Sequence, residues 1–295
     1  MSIDVHAATS FMATHGRLLD RRRLGLVLGR GNPDGVLAAL AAYRNPDGGY
    51  GWGLEPDLRS PESQPAAATH ALEVLAEVAP VTTPDAVGLC DWLATHAPAD
   101  GGLPLVLPVA DPTGSAAFWF PADPTTSSLQ MTTQVTANAL RVARHDPGVA
   151  GHPWLAAATA YCVDAIRRID ATPHAYELLF ALRFLGAAAG RVPEAGNLLE
   201  HLGRYVPSDG SVHVEGGTPD ERLHPLDLAP DPAGPVRALF SDEVLAADLE
   251  RLAGLQQADG GWVVDFAAAS PVAALEWRGY ATVDAVSTLL ANGAD

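Results

Sequence analysis

The chain contains no lysine; all 18 of its basic residues are arginine. That removes Schiff-base chemistry, the lysine of a phosphate-binding P-loop and a lysine general base. Cysteine is almost as scarce. Cys90 and Cys162 sit far apart inside helical patterns, which fits two buried apolar thiols rather than a disulfide or a zinc pair. Long apolar runs are missing. None approaches the roughly 18 residues needed to cross a bilayer, and the N-terminal stretch has no apolar block ending in a small-residue cleavage site. Neither an integral membrane segment nor a signal peptide is expected, and the expected compartment is the cytoplasm. Positive charge is in deficit. Eighteen arginines against 35 acidic residues leave a net charge of −17, which repels nucleic acid and anionic membranes. GxSxG, HExxH, CxxC and GxGxxG do not occur, and the histidines show no metal-ligand spacing, so neither metal nor cofactor is expected.

What is present is an array. Of the 295 residues, 48% are apolar, enough for one large repeated core or two ordinary domains. Asp-Gly-Gly or a close variant occurs at Asp47, Asp100, Asp209 and Asp259, at intervals of 53, 109 and 50 residues. The middle interval is close to two periods, so one copy has lost its turn. A period near 50 residues signals stacked units. Each unit reads as two helices. The first helices are Val36–Tyr43, Asp85–His96, Trp154–Ile169, Ala195–Tyr205 and Asp242–Gln256. The second are Gln64–Val78, Leu129–Ala143, His174–Ala188, Val236–Phe240 and Trp277–Leu290. Prolines 230, 232 and 235 cut the fourth of these short. Phe11–Leu28 reads as an extra helix or helix pair, and no strand ladder is expected. The expectation is an all-α fold in one domain, residues 1–295. N-terminal helices (1–30) precede units at about 31–80, 81–146, 147–190, 191–240 and 241–295.

Ala71, Ala139, Ala181 and Ala285 share one column in the second helices. A small residue at one position per unit suggests a crowded inner ring of helices. The residues just before them (His70, Asn138, Phe180, Asp284) and one turn earlier (Ala66, Gln134, Tyr176, Tyr280) are expected to include groups facing the centre.

Two stretches resemble known repeats. QQADGGW (Gln256–Trp262) is similar to the QxxDGGW repeat of squalene and oxidosqualene cyclases, and NPDGGYGWG (Asn45–Gly53) resembles the glycine-rich turn of protein prenyltransferase β-subunits. The resemblance implies an α/α toroid of about five helix pairs around a central apolar cavity. Gln256 and Trp262 would then be structural, binding helix ends between repeats. It also implies a terpene cyclase-like or prenyltransferase-like enzyme holding a lipophilic isoprenoid. The chemistry carries over poorly. The chain has no DxDD acid, no DDxxD, and no cysteine after Cys162 to build the prenyltransferase or lanthipeptide-cyclase zinc site.

Candidate chemistry therefore rests on two sets of residues. Glu55, Asp57 and Arg59 follow the first turn and are unique to the first unit. In an apolar cavity such a carboxyl stays protonated near neutral pH and could start a cyclisation or act as a general acid. Equally, these charges could pair with one another and cap the helix at Gln64. The second set is His70, Gln134, His174, Glu177, Arg183, Trp277, Tyr280 and Asp284 on the inner helices. His174 and Glu177 are one turn apart and could form a metal half-site, an acid/base pair or a polar seam. Trp119, Phe120 and Tyr176 could shape a cavity, with Trp119 and Phe120 in a long insert (residues 101–128) that reads as a lid or binding loop. The alternatives to an isoprenoid enzyme are a carbohydrate-active toroid, with Glu55 or Asp57 working against Glu177 or Asp284, and a non-catalytic binding protein of the same fold.

Overall fold

The computed structural model describes residues 2–294. It is mostly helical, with 13 α-helices and one two-stranded sheet among those residues. Helices start where proline and a polar cap coincide. Proline occupies the first turn of α3 (Pro33–Leu40), α4 (Pro65–Glu77), α5 (Pro84–His96), α8 (Pro153–Arg167) and α13 (Pro271–Ala291). Its fixed φ suits that position and its missing N–H costs nothing there. Asn32, Thr83 and Ser270 accept the free N–H groups of α3, α5 and α13. The extra N-terminal element is a pair, α1 (Val5–His15) and α2 (Leu18–Val27).

The second helices and α2 are linked by a series of contacts, in which α12 (Asp242–Gly254), a first helix, bridges the fourth unit to the last. α4 packs on α6 (Leu129–Val142), and α6 on α9 (Ala175–Ala188). α9 meets the short α11 (Pro225–Leu228), which leads through α12 to α13, and α13 packs on α2. An ion pair between Arg23 and Glu77 joins α2 to α4. α1, α3, α5, α8 and α10 (Ala195–Gly203) pack on these helices; the four-residue α7 (Pro147–Ala150) joins α6 to α8. The alanine column is sealed: Ala71, Ala139, Ala181 and Ala285 are all buried.

Four identical turns carry the repeat. Asp47, Asp100, Asp209 and Asp259 each accept, through Oδ1, the N–H of the residue two positions on. Each is followed by a glycine at positive φ: Gly48, Gly101, Gly210 and Gly260. Gly260 also lies so close to α1 that a Cβ would meet the Ala7 carbonyl oxygen. The last turn fixes the N-terminus: Gln256 exchanges hydrogen bonds with the backbone of Asp4, and buried Trp262 donates Nε1–H to the Leu252 carbonyl.

The fourth unit differs from expectation. In place of one short helix at Val236–Phe240 it has α11 and a 3-10 turn, Pro235–Leu239. A strand pair precedes them, β1 (Val212–His213) with β2 (Arg222–Leu223). Prolines 225, 230, 232 and 235 withdraw too many backbone donors for a continuous helix.

The long connections meet at one end. Gln64 bonds to Leu107, Ala116 N–H to the Asp57 carbonyl, and Thr218 to the Asp265 carbonyl. The N-termini of α2, α4 and α13 point to that end, because Arg17 donates to the carbonyls of Gly53 and Leu54, and Trp277 to Asp57. Short connectors occupy the other end.

Candidate functional site

The loop from Gly53 to Ser63 has no regular structure, and its three charges are tethers. Glu55 Oε2 lies 2.8 Å from His70 Nε2 on α4. Asp57 accepts the Ala269 N–H at 2.7 Å and the Trp277 indole N–H at 2.8 Å. Arg59 pairs with Glu276. The loop thus stitches the first unit to the last helix. Burial pushes the Asp57 carboxyl up, and the two donated hydrogen bonds hold it back. The insert covers the loop: Arg59 N–H donates to Ser115, and Trp119 donates its indole N–H to the Asp57 carbonyl. Trp119 is buried in this contact, whereas Phe120 is exposed on the surface.

His70 sits between two carboxylates, Glu55 at Nε2 and Glu73 Oε2 at 3.5 Å from Nδ1. Both nitrogens face acceptors, so both must carry protons. Burial alone would lower the imidazole. The hydrogen bonds and charge of the two glutamates overcome it and lift His70 to about 9. Glu73 also accepts the Tyr280 hydroxyl at 2.9 Å and faces Arg23. Burial acts to raise Glu73, but Arg23, His70 and Arg141 more than offset it and bring it to about 2. The rings of Trp277 and Tyr280 stand edge-on to His70, and Phe266 edge-on to Trp277.

Six helices contribute to one electrostatic cluster: Arg23 from α2, Glu73 from α4, Arg141 from α6, Arg183 from α9, Asp227 from α11 and Asp284 from α13. Asp284 is one turn beyond Tyr280. It is exposed to water, and charged groups on α2, α4, α9 and α11 act on it, so it faces the space, or recess, between those helices. Loss of solvation there, with the nearby charges of Glu73 and Asp227, lifts it to about 6 against the pull of Arg183 and Arg23. Asp227 is also lifted to about 6, chiefly by burial. Its Oδ2 accepts the His224 N–H, and its carbonyl accepts from Arg183. Asp284 has no hydrogen bond or ion pair among the described residues.

The remaining expected residues lie elsewhere or do other work. His174 caps α9 through the Tyr176 N–H and contacts the Glu215 carbonyl, so it is not joined to Glu177. Glu177 is half-buried, with no side-chain partner among the described residues. Gln134 is half-buried on α6. Tyr176 donates to buried Glu221 at 2.8 Å and lies parallel to Phe180. Tyr176 feels the charge of Asp227, which joins this pair to the recess. Glu73, Arg23, Arg141 and Asp227 were not among the expected site residues. Glu73 could have been found, since it follows His70 at the same one-turn spacing as Glu177 follows His174. Arg23 and Asp227 come from elements outside the repeat alignment.

No group of three or more metal-ligating side chains is clustered among the described residues, and no described helix is long and apolar enough to cross a membrane. Two apolar surface grooves, of about 300 and 490 Å³, lie away from the charged recess. Compared with known proteins, the chain matches no family model and no curated protein.

Proposed function

We propose that the chain is an α/α toroid of the squalene-cyclase repeat type, and an enzyme that performs acid-assisted chemistry on a polar, polyhydroxylated substrate of the saccharide class. The toroid reading is supported by the series of helix contacts running from α4 through α12 to α13 and on to α2. The single observation that carries the functional reading is Asp284, a water-accessible carboxyl left unpaired in a recess where every other acid of the cluster has a partner. A carboxyl with a pKa of about 6 is protonated in about one molecule in ten at pH 7, against about one in 1,600 at the ordinary aspartate value of 3.8. That makes Asp284 the proton donor and Asp227, near enough for its charge to act on Asp284, the partner carboxylate. Tyr176 supplies ring surface.

A lipophilic isoprenoid has weaker support. The aromatic rings that could stabilise a carbocation, Trp277 and Tyr280, are packed on His70 and on each other. An apolar ligand filling the recess would strip water from several charges, at several kcal/mol per ion. A cytoplasmic location goes with this proposal, since both thiols are free.

The test is incubation with panels of oligosaccharides and of linear prenyl compounds, read by mass spectrometry, for the wild type and Asp284→Asn. Cleavage or rearrangement of a saccharide that disappears in the variant is expected. Conversion of a prenyl compound with every saccharide untouched would overturn the reading.

A further inference from the structure

The accessibility of the inward-facing side chains changes in one direction along four of the inner helices, while on α9 Tyr176, Phe180 and Arg183 are all half-buried. On α4 the residues Ala66 and His70 are 4% and 7% exposed. One and two turns further on, the side chains of Glu73 and Glu77 are 12% and 21% exposed. On α2, Asp20 is fully buried and Arg23 nearly so, while Val27, at the helix end, is half-buried. On α6 the order is half-buried Gln134, half-buried Asn138, exposed Arg141; on α13 it is half-buried Trp277, half-buried Tyr280, exposed Asp284. Four helices, from different parts of the chain, become more open towards their C-termini.

The opposite end is plugged. Gly53–Ser63 lies across it, tied by Glu55 to α4 and by Asp57 and Arg59 to the α13 region. The insert lies over the loop through Ser115, Ala116 and Trp119. Its tip residue Phe120 points away into solvent.

We infer that ligand enters and leaves the recess through the end formed by the C-termini of α2, α4, α6 and α13, and that the glycine-rich loop with its Glu55–His70 pair is the closed floor. Asp284 and Arg141 stand at the entrance, so they meet a ligand first. The insert, in spite of its length, is a cover on the sealed end and not a lid over the site. This rests on Asp284 facing the working recess, but it concerns access and needs no turnover.

Thiol labelling tests it without a substrate. Cys90 and Cys162 are both fully buried and serve as the silent background. Asp284→Cys is labelled with N-ethylmaleimide in the native state, alone and combined with Arg141→Trp or Asp57→Asn. Fast labelling of the single variant is expected, slowed at least tenfold by Arg141→Trp and altered less than twofold by Asp57→Asn. Ser287→Trp, one turn further along α13, narrows the same entrance from a second helix and covers the case in which the Arg141 variant folds poorly. A tenfold acceleration by Asp57→Asn, with no effect of either tryptophan, would place the entrance at the loop end and overturn the inference. An unreactive Asp284→Cys would overturn it as well. Saccharide inactivity with this labelling pattern intact would remove the enzyme reading and leave the entrance where it is.

Discussion

Replacing Asp284 by asparagine should make the protein more stable at neutral pH while abolishing the activity proposed for it. The carboxyl is lifted from its ordinary value of 3.8 to about 6. A raised folded-state pKa means that the native state holds the proton more tightly than the unfolded chain does. The associated stability is fully present below pH 3.8 and is lost as pH rises through 6. Above that, the native protein carries an unfavourable charge that asparagine removes. A shift of that size corresponds to about 3 kcal/mol for a group sealed from solvent. Water reaches Asp284, so screening reduces the expected gain to about 1 kcal/mol. Integrated over the same two pKa values, the gain at pH 4.5 is about a third of that at pH 8. Urea denaturation of wild type and variant at the two pH values measures this directly. A destabilised variant at pH 8, or a difference that does not grow with pH, would refute the assignment of Asp284 as an unpaired carboxyl held in a crowded recess.

His70→Asn should destabilise by about 3–5 kcal/mol at pH 7, because Glu55 and Glu73 are left facing each other without the shared cation. His70 is raised to about 9, so its stabilisation is complete below its ordinary value of 6.5 and fades as pH rises through 9. The wild-type and variant denaturation midpoints should therefore approach one another between pH 7 and pH 10, and parallel curves would count against the imidazolium. Gly260→Ala should cost more than about 2 kcal/mol, combining the strain of a side chain at φ 92° with a clash against the Ala7 carbonyl. Thermal melting checks it, and an unchanged midpoint would show that α1 does not dock on the last turn.

The sequence carried the repeat because the repeat is local chemistry. An aspartate two residues before a required N–H, followed by a glycine at positive φ, recurs four times and folds the same way each time. The alanine column was legible for a similar reason: close packing at one position per unit tolerates nothing larger. The fourth unit was less legible. Its prolines announced a broken helix, but not that α11 and a strand pair would replace it. The site was only half visible. Residues flagged by their singularity, Glu55, Asp57 and Arg59, prove to be bound to His70, Trp277 with Ala269, and Glu276. Those partners lie between 15 and 220 residues away in sequence, where no spacing rule reaches. Asp284 was visible as a polar residue in an inward column, but its lack of a partner is a property of the packed structure alone.

The two ends of the inner helices differ in how their charges are occupied, and that difference supports the end chosen for the proposed chemistry. At the loop end the charges are matched: Arg17 with Asp20, Glu55 with His70, Asp57 with two N–H donors, Arg59 with Glu276, and Asp259 with Arg278. A carboxylate in such a pair has its proton affinity and orientation set by its partner, and taking it for catalysis would break a buried bond at a cost of several kcal/mol. Towards the other end the matching is uneven: Arg23 is held by two bonds to Glu77, but its neighbours are less well matched. Arg141 touches only the amide oxygen of Asn138, and Arg183 a main-chain carbonyl. Asp284 has neither a hydrogen bond nor an ion pair among the described residues. These groups still feel one another, as the raised Asp284 and Asp227 carboxyls register, so the recess keeps a field without filling its hydrogen-bonding capacity. A polar ligand entering there satisfies donors and acceptors that the fold leaves open, and it displaces only water. At the loop end the same ligand would have to displace protein partners first.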